Sequence, residues 1–119
     1  MRGASGHGPP YKAMIRLMKI ELAPSILSAN FAQLGADAQL AIDGGGNVLH
    51  VDIMDGYFVP NITIGPPVVK WLRKVIKVPF NCHLMIENRD FFIPEFARRV
   101  GTGSPCIKKP VCIWIARCI

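Results

Sequence analysis

His50, Asp52 and Met54 stand two residues apart in one apolar run, and His83 and Met85 repeat that spacing in another. Successive side chains of a β-strand point to opposite faces, so residues two apart emerge together. If both runs are strands and neighbours in a parallel sheet, two imidazoles and a carboxylate converge near the strands' C-terminal ends. Such a set suits a divalent transition metal: zinc, iron, manganese or cobalt. The same residues admit a plainer reading. A His-x-Asp pair on a strand also serves as a hydrogen-bonded structural pair, and Met54 and Met85 taken alone also serve as core filler.

The elements that must position these groups read as strand–helix units. Ile20 to Leu27 reads as a strand, followed by a helix in which Phe31, Leu34, Ala38 and Ile42 keep helical spacing until Gly44-Gly45-Gly46 stops it. Val48 to Met54 is a second strand. A loop runs to Pro67, and the helix after it carries Val68, Val69, Leu72, Val75 and Ile76 on its apolar face. Phe80 to Ile86 is a third strand and Phe91 to Arg99 a third helix, with Pro94 tolerable only in its first turn. Three such units predict an α/β fold with a parallel sheet, either open or part of a barrel. A closed (β/α)₈ barrel takes about 200 residues or more, and the chain has 119.

Charge and cysteine content remove other classes. The formal charge is +6, but the basic excess lies at the two ends while residues 20–100 are about neutral, so no nucleic-acid surface is expected. Cys82, Cys106, Cys112 and Cys118 form no CxxC pair, which argues against a disulfide scaffold or a zinc cluster. No apolar run reaches the ~18 residues of a membrane span, and no signal-peptide run opens the chain. The expectation is a cytoplasmic protein without a membrane partner.

Around the candidate residues lies a longer string: Leu22-Ala23-Pro24-Ser25-Ile26-Leu27-Ser28, then His50 through Met54-Asp55-Gly56-Tyr57-Phe58-Val59-Pro60-Asn61 to Gly65-Pro66, then His83-Leu84-Met85-Ile86-Glu87-Asn88. In this order and spacing, over about residues 20–100, the chain resembles the ribulose-phosphate 3-epimerases, (β/α)₈-barrel isomerases of the pentose phosphate pathway. The resemblance implies the first three βα units of that barrel. It implies His50, Asp52 and His83 as three of four metal ligands, and Asp52 also as one of two acid/base carboxylates. Ser25 and His83 match substrate-contacting positions, and Met54 and Met85 match methionines beside the reacting carbons. Asp55, Gly56 and Asn61 to Gly65 match the loop after the family's second strand.

The implied reaction interconverts D-ribulose 5-phosphate and D-xylulose 5-phosphate. A proton next to the ketone is removed and another returned to the opposite face, with a metal as Lewis acid and two carboxylates alternating as base and acid. In the family the fourth ligand, which is the second aspartate, and the glycine-rich phosphate loops come from late strands. This chain is therefore expected to be inactive alone, a non-catalytic barrel fragment. A related ketohexose-phosphate 3-epimerase is the alternative parent, and a homo-oligomer is open for the full-length member. Departures from the family pattern fall at Gly46-Asn47, Tyr57, Asn81 and Arg89.

The two ends stand apart. Residues 1–18 read as a disordered leader, of the kind produced by a start placed too far upstream, with Met14 and Met18 as alternative starts. Residues 101–119 match nothing in the family, which continues with a fourth strand resembling DWISVHQEACVHLDRTL. Codons built from the third base of each residue and the first two bases of the next, starting at Gly101, permit that string in unbroken order. Trp114 followed by Ile115 permits only Asp at its step, as the family string requires. The tail is therefore read as translation in a shifted frame.

Overall fold

The computed structural model describes residues 20–101 and the backbone of Cys112–Ile115. The leader expected over residues 1–18, most of the tail, Cys106 and Cys118 lie outside the described residues. Two 3₁₀ turns, Ile26–Ser28 and Phe31–Gln33, lead into helix α1, Leu34–Asp43. There follow β1 (Leu49–Met54), α2 (Pro66–Val75), β2 (Phe80–Met85), α3 (Arg89–Gly101) and β3 (Cys112–Ile115). The strands lie in the order β1-β2-β3, and both pairs are parallel. Parallel strands that are neighbours both in the chain and in the sheet, with a helix between them, are the repeating unit of a (β/α)₈ barrel and also occur in open sheets.

The two long strands divide their residues between a core and a site. Leu49, Val51 and Ile53 of β1 and Phe80, Cys82 and Leu84 of β2 are buried, in one cluster with Val69, Leu72 and Ile76 from α2 and its end and Phe96 and Val100 of α3. The alternate residues, His50, Asp52, Met54, Asn81, His83 and Met85, are half-buried, on the face turned away from that core. Register sets Asp52 opposite His83 and Met54 opposite Met85. Beneath them, the Arg73 guanidinium donates to the Val78 carbonyl at 2.7 Å and to that of Ile76 at 3.2 Å. It also lies 5.1 Å from the centre of the Phe80 ring, so it fixes the end of α2 to the start of β2.

The structure corrects several expectations. Ile20 to Leu27 is not a full strand: it makes one parallel bridge, Ser25 to His50. The Leu22 carbonyl accepts from the Asn47 and Val48 amides and the Pro24 carbonyl from the His50 amide. The return bonds fail because the Leu22 amide donates to the Asn47 side chain and Pro24 has no amide hydrogen. Ser25 then caps the first 3₁₀ turn by accepting from the Leu27 amide.

Phe31 likewise precedes the α-helix. The Asn30 side chain caps a 3₁₀ turn there by accepting from the Ala32 amide, which leaves Phe31 exposed. Val75 is also exposed, the buried stripe being Val69, Leu72 and Ile76. Helix α3 begins at Arg89 with Asp90 in its first turn, where a carboxylate complements the helix dipole. Pro94 is thereby inside the helix, past the turn expected to hold it, and removes the amide that would bond the Asp90 carbonyl. Part of the tail, Cys112–Ile115, pairs with β2 rather than standing apart, in the register Asn81 to Cys112 through Leu84 to Ile115.

Candidate functional site

Strand alternation brings His50, Asp52 and His83 together on one face of β1 and β2, with His50 near the start of β1 rather than at the C-terminal end that the spacing suggested. Asp52 Oδ1 lies 3.1 Å from His50 Nε2 and 3.2 Å from His83 Nδ1, with the two rings 6.0 Å apart. The second carboxylate oxygen, Oδ2, accepts from the Ser25 hydroxyl at 2.7 Å. Burial works to raise the Asp52 pKa. The Ser25 hydroxyl, the charge of His50 and hydrogen bonds from His83 and His50 outweigh it and hold the carboxyl below its ordinary value of 3.8. Met54 and Met85, side by side in register, form the next half-buried layer toward the strand ends. Ser25, His50, Asp52 and His83 are thus joined through one carboxylate, while Met54 and Met85 share the strand face with them without a bond to the group.

These donors fit a divalent cation. One donor atom from each of His50, Asp52 and His83 lies within 4.8 Å of the other two. Ligand atoms at about 2.0–2.2 Å from one tetrahedral ion stand about 3.3–3.6 Å apart, close to the two His–Asp separations. Two imidazole nitrogens and a carboxylate oxygen suit zinc, iron, manganese or cobalt alike.

Sequence reasoning matched Asp55 and Thr63 only to the loop after the second strand; in the structure they hold the backbone around Asp52. The Thr63 hydroxyl donates to the Asp52 carbonyl at 2.7 Å and accepts from the Met54 amide at 3.1 Å. The Thr63 amide in turn donates to the Met54 carbonyl at 3.2 Å. Thr63→Val keeps the shape and strands both groups, so it should cost about 1–2 kcal/mol, read as a lower urea midpoint at unchanged slope, whereas Thr63→Ser should stay close to the parent. Gly56, at φ +77°, makes the sharp exit from β1, where a β-carbon would meet Ile62 Cγ1 at 2.8 Å.

Asp55 Oδ1 accepts from the Tyr57 and Phe58 amides, both at 2.9 Å, and Oδ2 from the Glu87 amide at 2.8 Å. The Asp-Gly sequence signals the local turn; nothing local signals the bond to Glu87. These amides, that of Glu87 first, depress the Asp55 pKa below 3.8. A carboxyl depressed by folding contributes its stability fully above its unfolded value and loses it as pH falls through the folded one. The amide resonances of Tyr57, Phe58 and Glu87 should therefore shift together, with a common midpoint below pH 3.8; separate midpoints would contradict a shared carboxylate.

A model of the ribulose-phosphate 3 epimerase family matches residues 21–103. The chain belongs to this family. Among its relatives, the ribulose-phosphate 3-epimerase of Bacillus subtilis is 53% identical over 79 residues, covering 66% of this chain and 36% of the relative. That of Mycobacterium tuberculosis is 55% identical over 76 residues, covering 64% and 32%. The cytoplasmic isoform of the rice Oryza sativa is 46% identical over 83 residues, covering 70% and 36%. The chain spans about a third of the length of these epimerases. Family membership and the sheet order agree on a partial (β/α)₈ barrel of the epimerase type. Among the described residues, no helix is long and apolar enough to cross a membrane.

Proposed function

We propose that this chain carries the metal-ligand half of a ribulose-phosphate 3-epimerase site, acting on D-ribulose 5-phosphate and D-xylulose 5-phosphate. The observation that carries the reading is one carboxylate oxygen of Asp52 facing both His50 Nε2 and His83 Nδ1. His50, Asp52 and His83 would hold the cation, which when bound supplies Lewis-acid stabilisation of negative charge on the substrate's oxygens. Asp52 moves the proton at carbon 3 on one face of the sugar. Ser25, bonded to the other oxygen of that carboxylate, orients it and meets the substrate from the same side. Met54 and Met85 line the reacting carbons with polarizable sulfur that takes no part in proton exchange. His83 closes the site beside them. A cytoplasmic setting belongs to this reading, supported by the cytoplasmic isoform among its rice relatives.

Epimerisation needs a second carboxylate on the opposite face, and among the described residues Asp52 is the one that faces both imidazoles. The 119-residue polypeptide alone should therefore bind cobalt(II) without turnover. Residues 1–101 fused to the remainder of the Bacillus subtilis relative should interconvert the two pentulose phosphates. A folded, cobalt-loaded fusion that is silent on them would refute the reading, and one that prefers a ketohexose phosphate would move it to that sister activity.

We infer further that residues 102–119 are read in a shifted frame, which the unbroken family string permitted by the overlapping codons supports. Sequencing the locus tests this. An intact single frame encoding Cys106, Cys112 and Cys118 would sink it.

A further inference from the structure

Beyond the strand ends, two loops lie side by side: residues 55–65 after β1 and the turn at Glu87 and Asn88 after β2. Ile64, at the far end of the first, packs against the core, but the tip of the loop does not. Tyr57 is 80% exposed and Ile62 76% exposed. Behind the loops, on the helix-covered side of the sheet, opens a cavity of about 420 Å³ lined by Ile53, Ile64, Ile86, Phe92 and Phe96, with Asp55, Tyr57 and Glu87 at its polar rim. A loop with an exposed tip and space behind it depends on hydrogen bonds for its position. Thr63 ties the far end back to β1, and Asp55 supplies the bonds that join the two loops, since its two oxygens gather amides from both. It does so at the point where the chain leaves β1 and is crossed again by Ile62 in an antiparallel bridge.

We propose that Asp55 is a positioning residue, a clamp that ties the loop after β1 to the turn after β2 and so holds the rim of the site over the Met54–Met85 pair. The ladder between β1 and β2 ends at that pair, and the bond from the Glu87 amide extends the connection past it. The bond joins residues 32 apart in the chain, and a carboxylate bonded by amides of both segments makes shorter and stronger links than a neutral acceptor would. For its catalytic consequence the clamp rests on the epimerase reading; as a physical link between loops it does not.

Asparagine and alanine separate the two ends of the clamp. In Asp55→Asn the side-chain oxygen still accepts from the Tyr57 and Phe58 amides, while its NH₂ group faces the Glu87 amide, donor against donor. In Asp55→Ala every bond is lost. Amide hydrogen exchange on the 119-residue chain should show Glu87 alone exchanging about tenfold faster or more in Asp55→Asn, and Tyr57, Phe58 and Glu87 all doing so in Asp55→Ala. Unchanged Glu87 exchange in a folded Asp55→Asn chain overturns the clamp, and if Asp55→Ala fails to fold, Asp55→Asn decides.

The second arm uses the fusion described above. In Asp55→Asn, kcat per bound cobalt(II) should fall about tenfold, with cobalt stoichiometry and affinity held within about twofold because the ligands are untouched. Loss of folded protein alone would lower the amount of loaded site and leave kcat per site unchanged, and that result overturns the positioning role. A parent fusion without turnover defeats the epimerase reading and the catalytic consequence with it, leaving the exchange measurement to decide the clamp.

Discussion

Asp52→Asn should abolish tight binding of a divalent cation by this chain, with affinity for cobalt(II) falling by a hundredfold or more. The reason is the position of one atom. Asp52 Oδ1 stands between His50 Nε2 and His83 Nδ1, so it is the only anionic oxygen of a three-donor set. Asparagine removes the charge and replaces one carboxylate oxygen by an NH₂ group. If the amide oxygen keeps the place of Oδ2 and accepts from Ser25, its NH₂ group faces the imidazoles. If it turns, it offers them a neutral ligand and loses the Ser25 bond. Disturbing groups that merely orient ligands lowers metal affinity about 10- to 100-fold, and removing the ligand itself should exceed that. A cobalt(II) titration followed by visible absorbance measures it, and affinity within about threefold of the parent would remove Asp52 from the ligand set. In the fusion with the Bacillus subtilis remainder, the same change should lower turnover by about 10²–10⁴-fold or more, the range for loss of a general acid or base.

The second large effect concerns the fold. Phe80→Ala should cost about 3–5 kcal/mol, because Phe80 is fully buried at the start of β2 and its ring also receives the Arg73 guanidinium. A domain's whole stability is about 0.05–0.15 kcal/mol per residue, so the loss should take a segment of this size most of the way to unfolding at 25 °C. Phe91→Ala is the matched control. Phe91 is 70% exposed on α3, and its truncation should stay within about 0.5 kcal/mol. Urea denaturation of both variants, followed by circular dichroism, tests the pair, and equal losses would contradict the burial pattern.

Phe80 and Phe91 are both large apolar residues in apolar segments, and only the structure separates them. What the sequence did carry was alternation. The spacing of His50, Asp52 and Met54, and of His83 and Met85, foretold which side chains share a face, since strand periodicity depends on covalent geometry alone. The strings around them foretold the family. The first strand was less legible, because it lacks one rung through the missing Pro24 amide and diverts another to the Asn47 side chain, an exchange between segments far apart in the chain. The start of α1 was misplaced for a local reason, a capped 3₁₀ turn whose spacing around Phe31 imitates a helix. The bonds made by Asp55 and Thr63 escaped because their partners are backbone groups, which every residue type offers equally.

Burial that alternates strictly along β1 and β2 has a consequence for how such a site changes over time. Each strand is written in two interleaved texts, one for cohesion and one for chemistry, and adding or dropping a single residue would swap them. In β1 such a slip would drive His50, Asp52 and Met54 into the oil of the interior and turn Leu49, Val51 and Ile53 toward the substrate. Variation within the strands is thereby confined to substitution at fixed length. Insertions and deletions are left to the connections beyond Met54 and Met85, where reach over the sugar can be adjusted without disturbing the phase of the residues beneath.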